Sequence, residues 1–234
     1  MLMYLLNLLL LHVGPQHLPD GGPLYAETNM ERMIVEPWNA GSAVLFIGIA
    51  LYWMWHLRDS YREYPFLAAC APILLAGGIG GTLYHGLRNH QLFLYLDIGP
   101  IFLLSLGAGV FLWYQVTSNW PHVLWGFPAF FAFRWLGSDF LAAHTLINTG
   151  YLILAVFLLA PVIWILRRTD FENGLRVAGA VLSFAAALYF RLIDLEAPLA
   201  MGTHWLWHGF GALACALMLS YLYRLRRDHP RGFR

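Results

Sequence analysis

PFLAACAPILLAGGIGGTLYHGL, residues 65–87, decides the fold. The stretch contains no Asp, Glu, Lys or Arg, and it exceeds the roughly 20 residues that a helix needs to cross a bilayer. Working outward from it, six further apolar stretches are long enough, or nearly so: approximately 37–57, 91–116, 119–136, 142–166, 174–193 and 202–224. The stretch at 119–136 is the weakest, because Pro121 and Pro128 interrupt it. The polar breaks at 58–64, 88–89, 118–119, 137–139, 167–173 and 194–198 are short, which predicts sequential antiparallel neighbours in one bundle. The expected fold is therefore all-α: a seven-transmembrane-helix bundle over 36–226, preceded by an N-terminal segment 1–35 and followed by a basic tail 227–234.

Composition agrees. Of 234 residues, 59% are hydrophobic and 12% charged, against about 25% charged in a soluble domain. Such a surface needs lipid as its solvent. The net charge of +1 says little about partners, and no nucleic-acid partner is expected. Cys70 and Cys215 lie inside apolar runs and read as small apolar fillers, not as a disulfide framework or redox site. Residues 1–14 are apolar but too short to span. They lack the basic flank and cleavage site of a signal peptide, and are read as a helix on or dipping into the membrane surface, with a cleaved signal as the alternative.

All basic residues are Arg; there is no Lys. Arg58, Arg62, Arg167, Arg168, Arg176, Arg224, Arg226, Arg227, Arg231 and Arg234 fall on one side of the expected bundle. Arg32, Arg88, Arg134 and Arg191 fall on the other. The excess predicts a cytoplasmic C-terminus, and an odd number of spans then puts the N-terminus outside.

Ionisable groups within spans are costly and mark function by default. His85 ends the second span, Asp97 starts the third, His204 and His208 start the seventh, and Glu36 and Asn39 start the first. All six fall at the outer ends of their spans, so four helices converge at one membrane depth near the non-cytoplasmic face. His204 and His208 are four apart and share a helix face. The bland alternative is a pair of interfacial histidines beside Trp205 and Trp207 in an aromatic belt. With His85 as a third ligand, the set has the composition of a catalytic zinc site with an open position. Asp97 is expected to hold the metal's water or take its proton, or else to orient a ligating histidine. His90, His122 and His144 read as interfacial. Arg134 and Arg191 read as snorkelling, with reception of an anionic headgroup as the alternative. Gly77, Gly78, Gly80 and Gly81 form a smooth strip that favours close helix packing and would also let a lipid chain approach His85.

Three blocks carry a family resemblance: Glu36-Pro-Trp-Asn39; Gly78-Ile-Gly-Gly-Thr-Leu-Tyr-His85 with Asp97 in the next span; and His204-Trp-Leu-Trp-His208. Their order resembles the alkaline ceramidase family, within the seven-helix superfamily that also holds the progestin and adipoQ receptors. The resemblance implies His85, His204 and His208 as zinc ligands and Asp97 as the partner of the zinc-bound water. It departs from the family at Gly81, where a Ser is usual, and leaves Thr82 as a weak substitute rotated about 100° around the helix. It also implies a calcium site near the N-terminus, onto which Glu36, Glu27, Asn29 and Asp20 map. Oxygen ligands of this kind suit calcium. Glu36 as the cap of the first helix, with Pro37 at its first position, is the competing reading.

The expected activity is zinc-dependent hydrolysis of the amide bond of ceramide or a similar N-acyl lipid taken from the membrane. A receptor-like or lipid-binding protein with a structural zinc is the alternative. A retinal protein is excluded because a Schiff base needs a lysine. Haem is disfavoured because two histidines on one helix face cannot take opposite axial positions.

Overall fold

The computed structural model describes residues 18–119 and 157–230. Among these it is all-helical. Five helices are long and apolar enough to cross a membrane: α1 Pro37–His56, α2 Pro65–Leu87, α3 Gln91–Thr117, α4 Gly174–Leu192 and α5 His204–Asp228. Residues 157–168 are also helical, and a 3-10 turn occupies Asp194–Glu196. The five helices match the expected spans at 37–57, 65–87, 91–116, 174–193 and 202–224. The span at 119–136, most of that at 142–166, the segment 1–14, His122, Arg134, His144 and the end of the tail lie outside the described residues.

The helices begin and end where backbone chemistry dictates. Pro37 and Pro65 open α1 and α2, where a missing N–H costs nothing. α2 ends at Arg88 in the left-handed region, φ 48°, a conformation that a non-glycine residue holds only when its surroundings enforce it. Pro72 and Pro100 lie inside α2 and α3, as membrane helices allow when neighbours re-satisfy the freed carbonyl.

The chain divides into two compact units. One comprises residues 12–104 and 173–228, the other 1–11, 105–172 and 229–234. In the second unit the Trp113 indole N–H donates to the Phe157 carbonyl at 2.8 Å. The first unit holds every candidate site residue among the described positions. There α1 packs on α2 and α5, and α4 packs on α5. The glycine strip of α2 is a packing surface, as its first reading had it. A Cβ on Gly80 would lie 2.4 Å from the Leu96 backbone of α3, and one on Gly78 would lie 2.8 Å from the Ile47 backbone of α1. Only glycine lets three helices approach so closely.

Between 18 and 36 the chain forms a strap without regular structure. Its end is hydrogen-bonded to the last turn of α2: Val35 N–H donates to the Gly86 carbonyl (2.9 Å) and Glu36 N–H to the His85 carbonyl (3.1 Å). This pairing sets the side chain of Glu36 against that of His85.

Candidate metal centre

His85, His204 and His208 are all buried, and one ring nitrogen from each lies within 4.8 Å of the others. Their ring centroids are 4.8–5.2 Å apart. Among the described residues this is the one group of three or more His, Cys, Asp or Glu that could hold a metal ion. It contains no carboxylate. Three neutral imidazoles can serve as metal ligands only if one nitrogen of each is free, so the fate of the other nitrogen matters.

Two of those fates are clear. His85 Nδ1 is 2.5 Å from Glu36 Oε2. The carboxylate can only accept, so Nδ1 carries the proton and Nε2 is left free. That Nε2 is fully buried with no hydrogen-bond partner. His208 Nδ1 lies 3.0 Å from the Asn39 carbonyl, again an obligatory acceptor, and 2.9 Å from Ser42 Oγ. Its Nε2 is therefore also the free nitrogen. His204 has a buried Nδ1 without a partner. A buried polar atom without a partner costs about 1–3 kcal/mol, and clustered imidazole nitrogens left without partners fit a metal ion.

The supporting shell ties four chain segments together. Arg88, fully buried, donates from Nε to Asp20 Oδ2 (2.6 Å), from Nη2 to Asp20 Oδ1 (3.2 Å) and to the Pro23 carbonyl (2.9 Å), and from Nη1 to Glu36 Oε1. Glu36 thus bridges Arg88 and His85. Burial pushes its carboxyl up, but the hydrogen bond from His85 and the Arg88 charge outweigh this and hold it below the ordinary carboxylate range. Asp194, also buried, accepts from the N–H groups of Thr203 (2.7 Å), His204 (2.8 Å) and Ala26 (2.9 Å). It caps α5 where His204 begins and pins the strap to that cap. The Tyr25 ring of the strap lies tilted against the cluster, its centre 4.0 Å from that of His204 and 5.2 Å from that of His85.

Asp97 stands on the same face of the α2–α3 contact as His85. Its Oδ1 lies 2.6 Å from the place a Cβ on Gly81 would occupy, one turn of α2 before His85. The space beside Gly81 is therefore taken by the Asp97 carboxylate.

The other candidate residues have partners within the chain. The Thr82 hydroxyl donates back to the Gly78 carbonyl at 2.8 Å, a local bond within α2. The four residues that the resemblance maps onto calcium each make hydrogen bonds within the chain. Asp20 pairs with Arg88. Glu27 accepts from the Trp38 and Asn39 N–H groups at 2.7 and 2.9 Å and so satisfies the N-terminus of α1. Asn29 accepts from Glu31 N–H at 3.0 Å. Glu36 orients His85. It is the N-cap residue of α1, but its side chain makes no capping bond. The Arg88 guanidinium joins Asp20 to Glu36. Exposed His90 accepts the Leu92 N–H on Nδ1 (3.0 Å), in keeping with a helix-end role. Arg191 lays its guanidinium 5.2 Å from the Trp207 ring centre.

Sequence reasoning missed Arg88, Asp194, Tyr25 and Ser42. The first two carried a signal: each is charged and directly flanks a span that bears a candidate ligand. Tyr25 and Ser42 carried none, since aromatic and hydroxyl side chains are common at membrane interfaces. The chain matches no protein-family model and no curated protein.

Glu36→Gln keeps the shape of the side chain but removes the charge that holds His85 Nδ1–H. Metal affinity is expected to fall about 10- to 100-fold, read by competition with a chromophoric chelator.

Proposed function

We propose that this chain is a zinc-dependent intramembrane hydrolase that cleaves the amide bond of ceramide or a similar N-acyl lipid, as its resemblance to the alkaline ceramidases implies. The observation that carries the reading is the three-histidine cluster with free, buried imidazole nitrogens, two of its rings held in the ligating tautomer by Glu36 and the Asn39 carbonyl. In this reading the helices belong to a seven-helix bundle with its N-terminus outside and its C-terminus cytoplasmic, and the site opens near the non-cytoplasmic face.

Zinc, when bound, would supply Lewis-acid polarisation of the amide carbonyl and an acidified water for attack. His85, His204 and His208 would hold it. Asp97 Oδ1 would take the proton of the attacking water and return it to the nitrogen of the leaving amine. One C–N bond is broken and one water consumed, releasing a fatty acid and a long-chain amine. Among the described residues no carboxylate joins the three-histidine group, which supports a fourth position available to substrate, one that a structural zinc would close. Gly81 favours the second reading, a receptor-like or lipid-binding protein with a structural metal, because a hydroxyl donor to the oxyanion is missing.

The test is fatty-acid release from ceramide and other N-acyl lipids by fully zinc-loaded protein. Asp97→Asn is expected to lower kcat about 10²- to 10⁴-fold with metal content unchanged. Absence of turnover on every N-acyl lipid at full zinc occupancy would leave the structural-metal reading standing.

A further inference from the structure

Along the seam of α1 and α5 runs an open groove of about 800 Å³, within the size range of ligand sites. Its floor is apolar and smooth. A Cβ on Gly41 or Gly48 would meet nothing within 4 Å, and Val44, Leu45 and Ala216 complete the walls. From Gly41 to His56 the groove follows α1 for about 22 Å at about 1.5 Å per residue, most of the roughly 30 Å of a bilayer's hydrocarbon. A smaller cavity of about 400 Å³ shares Gly41 and Leu45 with it and reaches Ser42 and Trp205.

The other end changes character. The His56 ring stacks on Tyr52 (5.5 Å) and meets Tyr223 edge-on (5.1 Å). Arg224 and Arg227 line the groove beside them. Arg176 donates to the lining Ser220 at 3.2 Å, which brings a third guanidinium to this end. The acid there is Asp228, bonded to Arg227 at 2.7 Å, while Arg224 has no ion-pair partner among the described residues. A hydrophobic trough closed by cations and aromatic rings is complementary to an amphiphile with an acyl chain and an anionic head.

We propose that this groove binds one anionic phospholipid, with an acyl chain along the glycines of α1 and its phosphate against Arg224 and Arg227. The charge pattern selects this occupant. The uncharged head of a ceramide-like lipid would leave the guanidiniums unmatched, and a second copy of the chain would bring the same positive end. Basic clusters at helix ends attract anionic lipids of the leaflet they face.

Native mass spectrometry of the full chain, exchanged into equimolar phosphatidylglycerol and phosphatidylcholine, tests this. The wild type is expected to retain one phosphatidylglycerol at least about tenfold over phosphatidylcholine. Gly48→Leu, whose Cβ would meet nothing within 4 Å, and the pair Arg224→Gln with Arg227→Gln are each expected to reduce the preference to less than about twofold, with metal content unchanged. Arg58→Gln with Arg62→Gln, outside the groove, is expected to keep it. Equal retention of the two lipids by the wild type means ordinary annular lipid and overturns the proposal. So does a preference that survives in either groove variant, one lost equally in the Arg58 and Arg62 control, or a dimer that excludes lipid from the groove.

Discussion

Protein purified in detergent is expected to carry about one equivalent of zinc, and His85→Ala, His204→Ala or His208→Ala each to carry less than about a tenth of that by elemental mass spectrometry. The three rings come from two helices, and each supplies a third of the donors. Two imidazoles on one face of α5 cannot replace the one from α2, because a cluster spanning helices loses its geometry with any member. The metal also links to folding. An ion that binds only the folded chain stabilises it by about 4 kcal/mol at a thousandfold excess over Kd, so a zinc chelator is expected to lower the melting temperature of the wild type and leave that of the three variants unmoved. Calcium should produce no shift in the wild type, since Arg88 already joins Asp20 to Glu36. A calcium-dependent rise would reverse that assignment, and equal zinc content in wild type and variants would undo the cluster as a metal site.

Arg88→Met is expected to be the most destabilising single change outside the histidines, at about 3–5 kcal/mol. That is the cost of removing one partner of a buried ionic network and leaving the others uncompensated. Asp20 and Glu36, both fully buried, would lose their only cationic partner among the described residues. Arg88→Lys should recover part of the loss, since an ammonium supplies the charge but not the forked geometry that reaches two carboxylates. Arg88→Gly separates charge from backbone. It relieves the left-handed φ of 48° yet removes the guanidinium, and is expected to melt as low as Arg88→Met. Adding Asp20→Asn to Arg88→Met should restore part of the stability, because one of the stranded charges is gone. Thermal melting in detergent reads all four. A melting temperature for Arg88→Gly near that of the wild type would mean that this residue ends α2 and does little else.

Residues 65–87 and 204–208 show what the sequence determined. Long uncharged runs can only be satisfied as helices in lipid, because each backbone group must find its partner within the segment. A four-residue histidine spacing puts both rings on one helix face whatever surrounds it. Helical class, the α1, α2, α3, α4 and α5 boundaries and the three-histidine group were therefore legible. What lay between helices was not. Glu36 was open to three roles, as cap, as calcium ligand or as a residue at the outer end of its span, and it became the partner of His85 only through the strap, 49 residues away in sequence. Asp194 reaches Ala26 across 168 residues. Gly81, read as a lost hydroxyl, is the place where the Asp97 carboxylate fits. Thr82 turned to its own backbone because an unpaired hydroxyl in an apolar helix takes the nearest carbonyl. Each of these outcomes depends on helix rotation and loop path, which are set by packing over the whole unit, and residue spacing along one helix does not encode them.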